Sequence, residues 1–158
     1  MKEQISKSKL PRIGLGCGSM IKYGNKSEYI DTIHMALESG VTMLNTADFY
    51  GSGMSEMVIG EALKGRKRED VFVSLKFGAL TAPGGQMYGL DVNPFRIKNY
   101  LAQSLKRMNL EYVDLFQPAR IDLDIPVEET IGAISELVKE GYVRHVGMTQ
   151  VDAETLKK

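Results

Sequence analysis

Residues 41–51 read Val-Thr-Met-Leu-Asn-Thr-Ala-Asp-Phe-Tyr-Gly and are the most informative stretch for the fold. Their apolar start is typical of a short buried strand, and Tyr50 follows a few positions after the expected strand end. A second apolar run, residues 71–77, reads Val-Phe-Val-Ser-Leu-Lys-Phe and places Lys76 at the end of the next strand. Neighbouring parallel strands bring their carboxyl ends to one edge of the sheet. The sequence therefore predicts that Tyr50 and Lys76 converge.

A lysine beside a tyrosine has a defined chemical consequence. An ammonium close to a phenol favours the ionised phenolate, so the tyrosine becomes a proton donor that is usable at neutral pH. Taken alone, Tyr50 would be a packing tyrosine at a strand end, and Lys76 would be a surface lysine. A lysine that ends an apolar strand is unusual, because lysine is rarely buried without a partner. We interpret the pair as a candidate catalytic site.

Strands and helices alternate along the rest of the chain, after an N-terminal segment (residues 1–10) that fits a capping hairpin or an arm. Strands are predicted at residues 12–18 (with a Gly-rich exit), 41–45, 71–76, 112–116 and 143–148. Helices are predicted at residues 27–39, 54–64 and 94–108, from Pro126 to Gly141, and from Asp152. The segment between the third strand and the third helix is too long for a simple connection, so we expect it to be a functional loop.

Alternating buried strands and amphipathic helices imply an α/β fold with a parallel sheet and right-handed crossovers. The pattern is that of a TIM-type barrel, whose chemistry lies at the carboxyl ends of the strands. About five strand–helix units cannot close an eight-stranded barrel. We predict one domain over residues 1–158 that forms an incomplete barrel.

Composition narrows the class of partner. The 158 residues include 20 basic and 20 acidic side chains, which gives no reason to expect nucleic acid or an anionic membrane as a partner. The single cysteine, Cys17, excludes an intrachain disulfide framework and a multi-cysteine zinc site, and the two histidines have no metal-ligand spacing. No segment is typical of a membrane span or a signal peptide. We expect a cytoplasmic protein without a metal centre.

Several motifs occur in a characteristic order and spacing. They are Pro11–Gly16, Asn45–Gly51, Ser55-Glu56, Ile59–Leu63, Ser74–Lys76, Ser104–Met108, Tyr112–Phe116 and Gly141–Gly147. From about Leu10 onward, the chain resembles the N-terminal half of an aldo-keto reductase, a nicotinamide-dependent (βα)8 barrel. The resemblance implies NADP-dependent reduction of an aldehyde or ketone. Hydride would come from C4 of the nicotinamide and a proton from Tyr50.

The resemblance also assigns catalytic roles and exposes two departures. In the family a tyrosine, a lysine, an aspartate and a histidine surround the carbonyl, and Tyr50 and Lys76 fall on the first two. The aspartate position is Asn45, which keeps a hydrogen-bonding oxygen but loses the charge that holds the lysine. The histidine position is Ala119, which removes a donor to the carbonyl oxygen. The neighbouring Arg120 is a candidate replacement that suits an anionic or polar substrate.

Further site residues are implied by the same resemblance. The expected cofactor contacts are Gly16, Cys17, Gly18, Asn45, Thr149 and Gln150. The expected substrate contacts are Phe49, Phe77 and Arg120. Plainer interpretations stand beside these. The glycines suit a tight strand exit, Cys17 a small buried apolar residue, Asp48 a loop cap, and the basic run 64–68 a solvated turn.

A second class of function is compatible with the same residues. An open parallel sheet leaves unpaired backbone groups at its edge strands and uncovered apolar surface. The chain would then be a truncated, catalytically impaired half-barrel that acts as an interaction module. It would associate with itself or with a complementary C-terminal half. The identity of the carbonyl substrate does not follow from the residues, because substrate choice in such barrels depends largely on loops.

Overall fold

A computed structural model describes residues 10–157, so the predicted N-terminal hairpin or arm lies almost entirely outside the described residues. The strands are β1 (Gly14–Gly16), β2 (Met43–Ala47), β3 (Phe72–Phe77), β4 (Ala79–Thr81), β5 (Met87–Leu90), β6 (Val113–Pro118) and β7 (Val143–Val146). The helices are α1 (Lys26–Glu38), α2 (Met54–Ala62), α3 (Pro94–Met108) and α4 (Val127–Lys139). Short helical turns lie at Tyr23–Asn25, Tyr50–Gly53, Arg68–Asp70 and Thr155–Lys157.

The main sheet has five strands in the order β1-β2-β3-β6-β7, and all of its pairs are parallel. A helix connects each strand to its neighbour, and the helices pack in sequence order as α1 on α2, α2 on α3 and α3 on α4. The predicted parallel sheet of strand–helix units is therefore confirmed. Within residues 10–157, no helix combines the length and apolarity that crossing a membrane requires.

The core lies between the sheet and the helices. Because successive strand residues point to opposite faces, one set of apolar side chains meets the helices. Leu44, Leu75 and Phe116 belong to this set and have no exposed surface. The helices supply apolar side chains that are equally buried: Ile33, Val58, Ile59, Ile97, Leu101, Ile134 and Leu137. The alternation leaves the partly exposed polar residues Asn45, Lys76 and Gln117 on the opposite face, so the fold itself presents polar groups there.

Local sequence signals explain both ends of α3. The Asn93 side chain accepts a hydrogen bond from Phe95 N at 3.0 Å, and Pro94 follows as the first residue of α3. Helix α3 ends before Asn109, which takes a left-handed conformation with φ of 53°. The helix predicted from Asp152 is present only as the turn Thr155–Lys157, in which Thr155 N donates to Asp152 Oδ1 at 2.7 Å.

The segment after β3 is more ordered than the loop that was predicted. It forms an antiparallel hairpin of β4 and β5, with Ala79 opposite Leu90 and a bulge near Thr81. Gly78 begins the hairpin with φ of +89°, and a Cβ there would lie 2.7 Å from Asp91 O. Only glycine fits this conformation and this approach of the two backbones. The hairpin thus starts two residues after Lys76 and stands beside the carboxyl ends of the strands.

The prediction of a solvated basic turn is wrong at Arg68, whose side chain is only 17% exposed. Its Nη2 donates to Asp114 Oδ2 at 2.5 Å and to Tyr112 O at 3.1 Å. The guanidinium lies 4.1 Å from the centre of the Tyr112 ring, and the Arg144 guanidinium lies 4.2 Å from the same centre. This cluster of Arg68, Tyr112, Asp114 and Arg144, the amino-end cluster, ties three strand starts together.

Candidate active site

Strands β2 and β3 bring Asn45 and Lys76 together. Asn45 is in register with Ser74, and Ala47 is in register with Lys76. The Lys76 ammonium donates to Asn45 Oδ1 at 2.6 Å and more weakly to Thr46 O at 3.4 Å. The lysine is therefore held by a neutral amide oxygen, and no opposite charge is among its hydrogen-bond partners in residues 10–157.

Tyr50 lies directly beside this lysine. It opens the helical turn Tyr50–Gly53, in which three successive residues, Gly51 to Gly53, have positive φ. The Lys76 Nζ atom lies 5.1 Å from the centre of the Tyr50 ring, within the range of a cation–π contact. Phe49 meets the same ring edge-on, with centroids 5.0 Å apart. The structure thus brings the Tyr50 ring and the Lys76 ammonium together at the carboxyl ends of β2 and β3.

Gly16 and Gly18, at the carboxyl end of β1, differ in what surrounds them. A Cβ on Gly18 would lie 3.2 Å from Cζ of Tyr50, so glycine leaves room for the tyrosine ring. A Cβ on Gly16 would meet nothing within 4 Å, and Gly16 is the sheet neighbour of Asn45. The packing of Tyr50 accounts for Gly18, while open space remains beside Gly16.

Cys17 does not face this open space. Its side chain is fully buried, and burial raises the pKa of its thiol to about 12. Its backbone N donates to Asn45 O at 2.9 Å, and its backbone O accepts from Ser55 Oγ at 2.9 Å. The thiol thus lies in the core and both backbone groups are bonded within the protein, so the expected cofactor contact of Cys17 stays a prediction.

Phe77, an expected substrate contact, is buried in the core. It has no exposed surface, and its ring stacks on Phe116 at 4.3 Å and on Tyr100 of α3 at 6.3 Å. It therefore points to the helix layer, on the face of β3 opposite Lys76. The period-two alternation predicts this orientation, since adjacent strand residues face opposite ways.

The end of β6 offers no imidazole. Ala119 is 3% exposed, and its backbone N donates to Phe77 O at 2.8 Å. The exposed Arg120 directs Nη1 to Ala119 O at 2.6 Å. Its guanidinium therefore lies along the strand end, bonded to its neighbour's carbonyl.

The segment after β7 is fastened to β6 through one hydroxyl. Thr149 Oγ1 donates to Ala119 O at 2.5 Å and to Pro118 O at 3.1 Å. Gln150 is exposed and has φ of 52°. The hydroxyl proton of Thr149 is thus used in hydrogen bonds within the protein. The lone pairs of Thr149 Oγ1 and the side-chain amide of Gln150 stay available to a ligand.

One inner-face contact was not predicted. Gln117 Nε2 lies 3.2 Å from Ser74 Oγ and joins the carboxyl end of β6 to the middle of β3. A Cβ on Gly147 would lie 2.9 Å from Gln117 Oε1, so glycine there leaves room for the amide. The alternation of Ser74 and Lys76 with apolar residues along β3 is a signal that would have placed Ser74 on this face.

Asp48 makes more contacts than the predicted loop cap requires. Its backbone N donates to Lys76 O at 3.0 Å, and its Oδ2 accepts from Gly78 N at 3.4 Å. Asp48 is a cap, as predicted, but the backbone N–H that it caps belongs to Gly78, directly after the neighbouring strand β3. Burial, which is the largest cause, and the nearby Glu56 carboxylate together raise the pKa of the Asp48 carboxyl to about 7.

A cleft of about 250 Å³ opens beside the Tyr50 turn, between the hairpin and α3. Its lining mixes aromatic, hydroxyl and charged groups, including Asp48, Phe49, Ser52, Tyr88, Gln103 and Arg107. Of the expected substrate contacts, only Phe49 lies in this lining. The cleft therefore runs from the carboxyl ends of the strands, where Tyr50 lies, toward α3.

Comparison with known proteins relates this arrangement to a family. The model of the Aldo/keto reductase family matches residues 12–158. Probable aldo-keto reductase 1 of Glycine max is 31% identical over 151 residues, which are 93% of this chain and 43% of that protein. An aldo-keto reductase from Bacillus halodurans in its holo form superposes with a TM-score of 0.81 and 33% identity, over 92% of this chain and 48% of that chain.

A third relative is an aldo-keto reductase from Klebsiella pneumoniae in complex with NADPH. It superposes with a TM-score of 0.78 and 26% identity, over 94% of this chain and 48% of that chain. The chain thus spans about half the length of these relatives. The similarity confirms the predicted incomplete barrel of TIM type. The family-model match over residues 12–158, together with the similar folds of these relatives, shows that this chain belongs to the aldo/keto reductase family.

Proposed function

We propose that this chain supplies the proton-donating part of an NADP-dependent oxidoreductase that reduces a small aldehyde or ketone. The observation that carries the proposal is the convergence of Tyr50 and Lys76, with Nζ 5.1 Å from the ring centre and 2.6 Å from Asn45 Oδ1. The NADPH bound to the Klebsiella pneumoniae relative supports the choice of cofactor. Because the chain spans about half of its relatives, the activity of the whole protein is part of the proposal.

The residues present fit a nicotinamide ring on the inner face of the sheet. The space beside Gly16 is open, Asn45 is partly exposed next to it, and the amide of Gln150 is accessible. With the backbone of Gly18 and the Thr149 oxygen, these groups would hold the ring. When bound, the reduced cofactor supplies hydride from C4 to the carbonyl carbon.

Tyr50 then completes the reduction. Its hydroxyl donates a proton to the carbonyl oxygen as negative charge develops there. Lys76 stabilises that charge, and because its hydrogen-bond partner is a neutral amide, the ammonium charge is not offset within the pair. The position of Ala119 provides no second donor, so Tyr50 alone protonates the oxygen.

Phe49 and Arg120 are the remaining proposed substrate contacts. Phe49 packs on the Tyr50 ring and lines the cleft, so an apolar part of the substrate would lie against it. Arg120 is exposed at the end of β6, where its guanidinium could leave the Ala119 carbonyl for an anionic group. A carbonyl compound with a carboxylate or phosphate is the substrate type that these two residues favour.

The proposal is tested by titrating the protein with NADPH while following nicotinamide fluorescence, and then adding a generic aldehyde. Micromolar binding with turnover supports the reductase. Absence of both at high protein concentration contradicts it for this chain. The same assay repeated with an added C-terminal half of a relative tests whether the missing part of the barrel restores activity.

A second function is favoured by the sheet edges. β1 and β7 each have one sheet neighbour, so each leaves a row of backbone groups unpaired among the described residues. Unpaired strand edges favour association with another chain. A half-barrel that pairs with a second copy or with a complementary C-terminal half would cover them. Sedimentation analysis distinguishes the two functions, since a stable dimer without NADPH binding supports the association module.

A further inference from the structure

Two carboxyl groups lie behind Tyr50, on the helix side of the sheet. Glu56 of α2 has no exposed surface, and Asp48 is partly buried two residues before Tyr50. One oxygen of each, Asp48 Oδ1 and Glu56 Oε1, is buried without a hydrogen-bond partner among residues 10–157. A buried acceptor without a partner is costly, and two in one neighbourhood need a common explanation.

The other two carboxyl oxygens have partners. Glu56 Oε2 accepts from Arg107 Nε, and Asp48 Oδ2 accepts from Gly78 N. Arg107 also donates to Ser104 Oγ at 3.2 Å, so a single guanidinium serves the cluster. Because this guanidinium is already paired with Glu56, a negative charge on the buried Asp48 carboxyl would have no cation of its own. Burial without a cation favours the protonated form of a carboxyl group, whose hydroxyl can also donate a hydrogen bond.

Asp48 is also the link between the two halves of the proposed catalytic pair. Its backbone N bonds to Lys76 O, and its side chain bonds to Gly78 N, so it spans the residues on either side of Phe77. Tyr50 follows Asp48 by two residues in the same turn. The state of the Asp48 carboxyl therefore affects where the tyrosine lies relative to the lysine.

We propose that Asp48 keeps its proton at neutral pH, and that the protonated carboxyl is a positioning residue for Tyr50 and Lys76. The link to catalysis rests on the proposed reductase function, whereas the protonation of Asp48 does not. Loss of the proton places a second buried negative charge near the Glu56–Arg107 pair, which moves the Asp48 side chain and shifts the Tyr50 turn.

The groups that face Asp48 set the pH of this change. Glu56 comes from α2, Arg107 and Tyr100 from α3, and Tyr88 from the hairpin. Burial is the largest influence and raises the pKa of Asp48, Glu56 raises it as well, and Gly78 N and Arg107 lower it, which leaves a value of about 7. Tyr100 stays neutral in this range, because burial and its bond to Asp91 raise its pKa to about 12.

Carboxyl carbon NMR of the full 158-residue chain between pH 4 and 9 tests whether Asp48 is protonated at neutral pH. We expect one carboxyl resonance with a midpoint near pH 7 that disappears in Asp48→Asn and moves to lower pH in Glu56→Gln. Asp70→Asn, at an exposed turn, serves as the control and leaves the midpoint unchanged. The proposal is overturned if all carboxyl groups titrate below about pH 5.5, or if the midpoint near 7 survives in Asp48→Asn.

The positioning role has its own readout. The Tyr50 ring resonance is expected to follow the same midpoint in the parent and to be independent of pH in Asp48→Asn. A Tyr50 resonance that ignores the titration overturns the positioning role. With turnover established, kcat falls above pH 7 in the parent and stays level in Asp48→Asn, whereas Asp48→Ala lowers kcat at every pH. Titration without turnover contradicts only the reductase function.

Discussion

The two ends of the parallel sheet differ in the partner of their buried or half-buried cation. At the amino end, the Arg68 guanidinium meets the Asp114 carboxylate at 2.5 Å and lies over the Tyr112 ring. At the carboxyl end, the Lys76 ammonium meets the neutral oxygen of Asn45. A cation that is paired with a carboxylate stabilises the charge of a ligand only weakly, whereas a cation without a counter-ion can stabilise negative charge that develops in a reaction. The contrast places stability at one end of the sheet and proposed chemistry at the other.

Replacing Tyr50 by Phe has the largest expected effect. Loss of the proton donor should lower turnover by roughly 10² to 10⁴-fold, with NADPH affinity unchanged, because the ring that packs on Gly18 is kept. Steady-state kinetics and fluorescence titration measure the two quantities. Tyr142→Phe, at a half-exposed tyrosine outside the site, is the matched control. Activity that survives in Tyr50→Phe would contradict the mechanism.

Replacing Arg68 by Ala probes the other end of the sheet. Asp114 is left partly buried without its cation, so the free energy of unfolding should fall by about 2–3 kcal/mol. Urea denaturation measures this loss, and turnover per folded molecule should stay constant. Arg66→Ala breaks an exposed ion pair with Glu38 and should change stability little. A loss of turnover at full folding would show that the two ends are coupled.

Stability should depend on pH through Asp48. Its pKa rises from 3.8 in the unfolded chain to about 7 in the fold, so the folded state binds more protons between these values. The free energy of unfolding therefore falls as pH rises from about 4 to 7 and levels off above. In Asp48→Asn this slope should be lost and stability at pH 8 should be higher. A lower stability of Asp48→Asn at pH 8 would indicate that ionised Asp48 is stabilising.

Replacing Asn45 by Asp makes the carboxyl end resemble the amino end and has the smallest expected effect. The new carboxylate holds the Lys76 ammonium more firmly, for which we expect about 1 kcal/mol and a rise in turnover of up to roughly tenfold. Steady-state kinetics compare the variant with Asn45→Ala, which removes the oxygen altogether. Unchanged turnover in Asn45→Asp would mean that Lys76 is already well placed by the amide.

The strand and helix order was predictable because it follows from periodicity that each segment carries in itself. Asn93 and Pro94 announce the start of α3, and the alternation of Leu44, Asn45 and Thr46 assigns the faces of β2. The hairpin of β4 and β5 was not predicted, since its glycines and proline look like those of an irregular loop. The buried state of Arg68 was also missed, because its partner Asp114 is 46 residues away.

The sequence alone determined the family, the incomplete parallel barrel and the approach of Tyr50 to Lys76, because motif spacing and strand alternation are local properties. Only the tertiary structure decided that Cys17 faces the core, that Asp48 spans the exit of β3, and that Glu56 lies near it. The position of Cys17 depends on which helices pack against β1, and the state of Asp48 and Glu56 depends on the charged side chains that distant segments bring beside them. Burial and charge balance are properties of the packed molecule, and no single segment of the chain contains them.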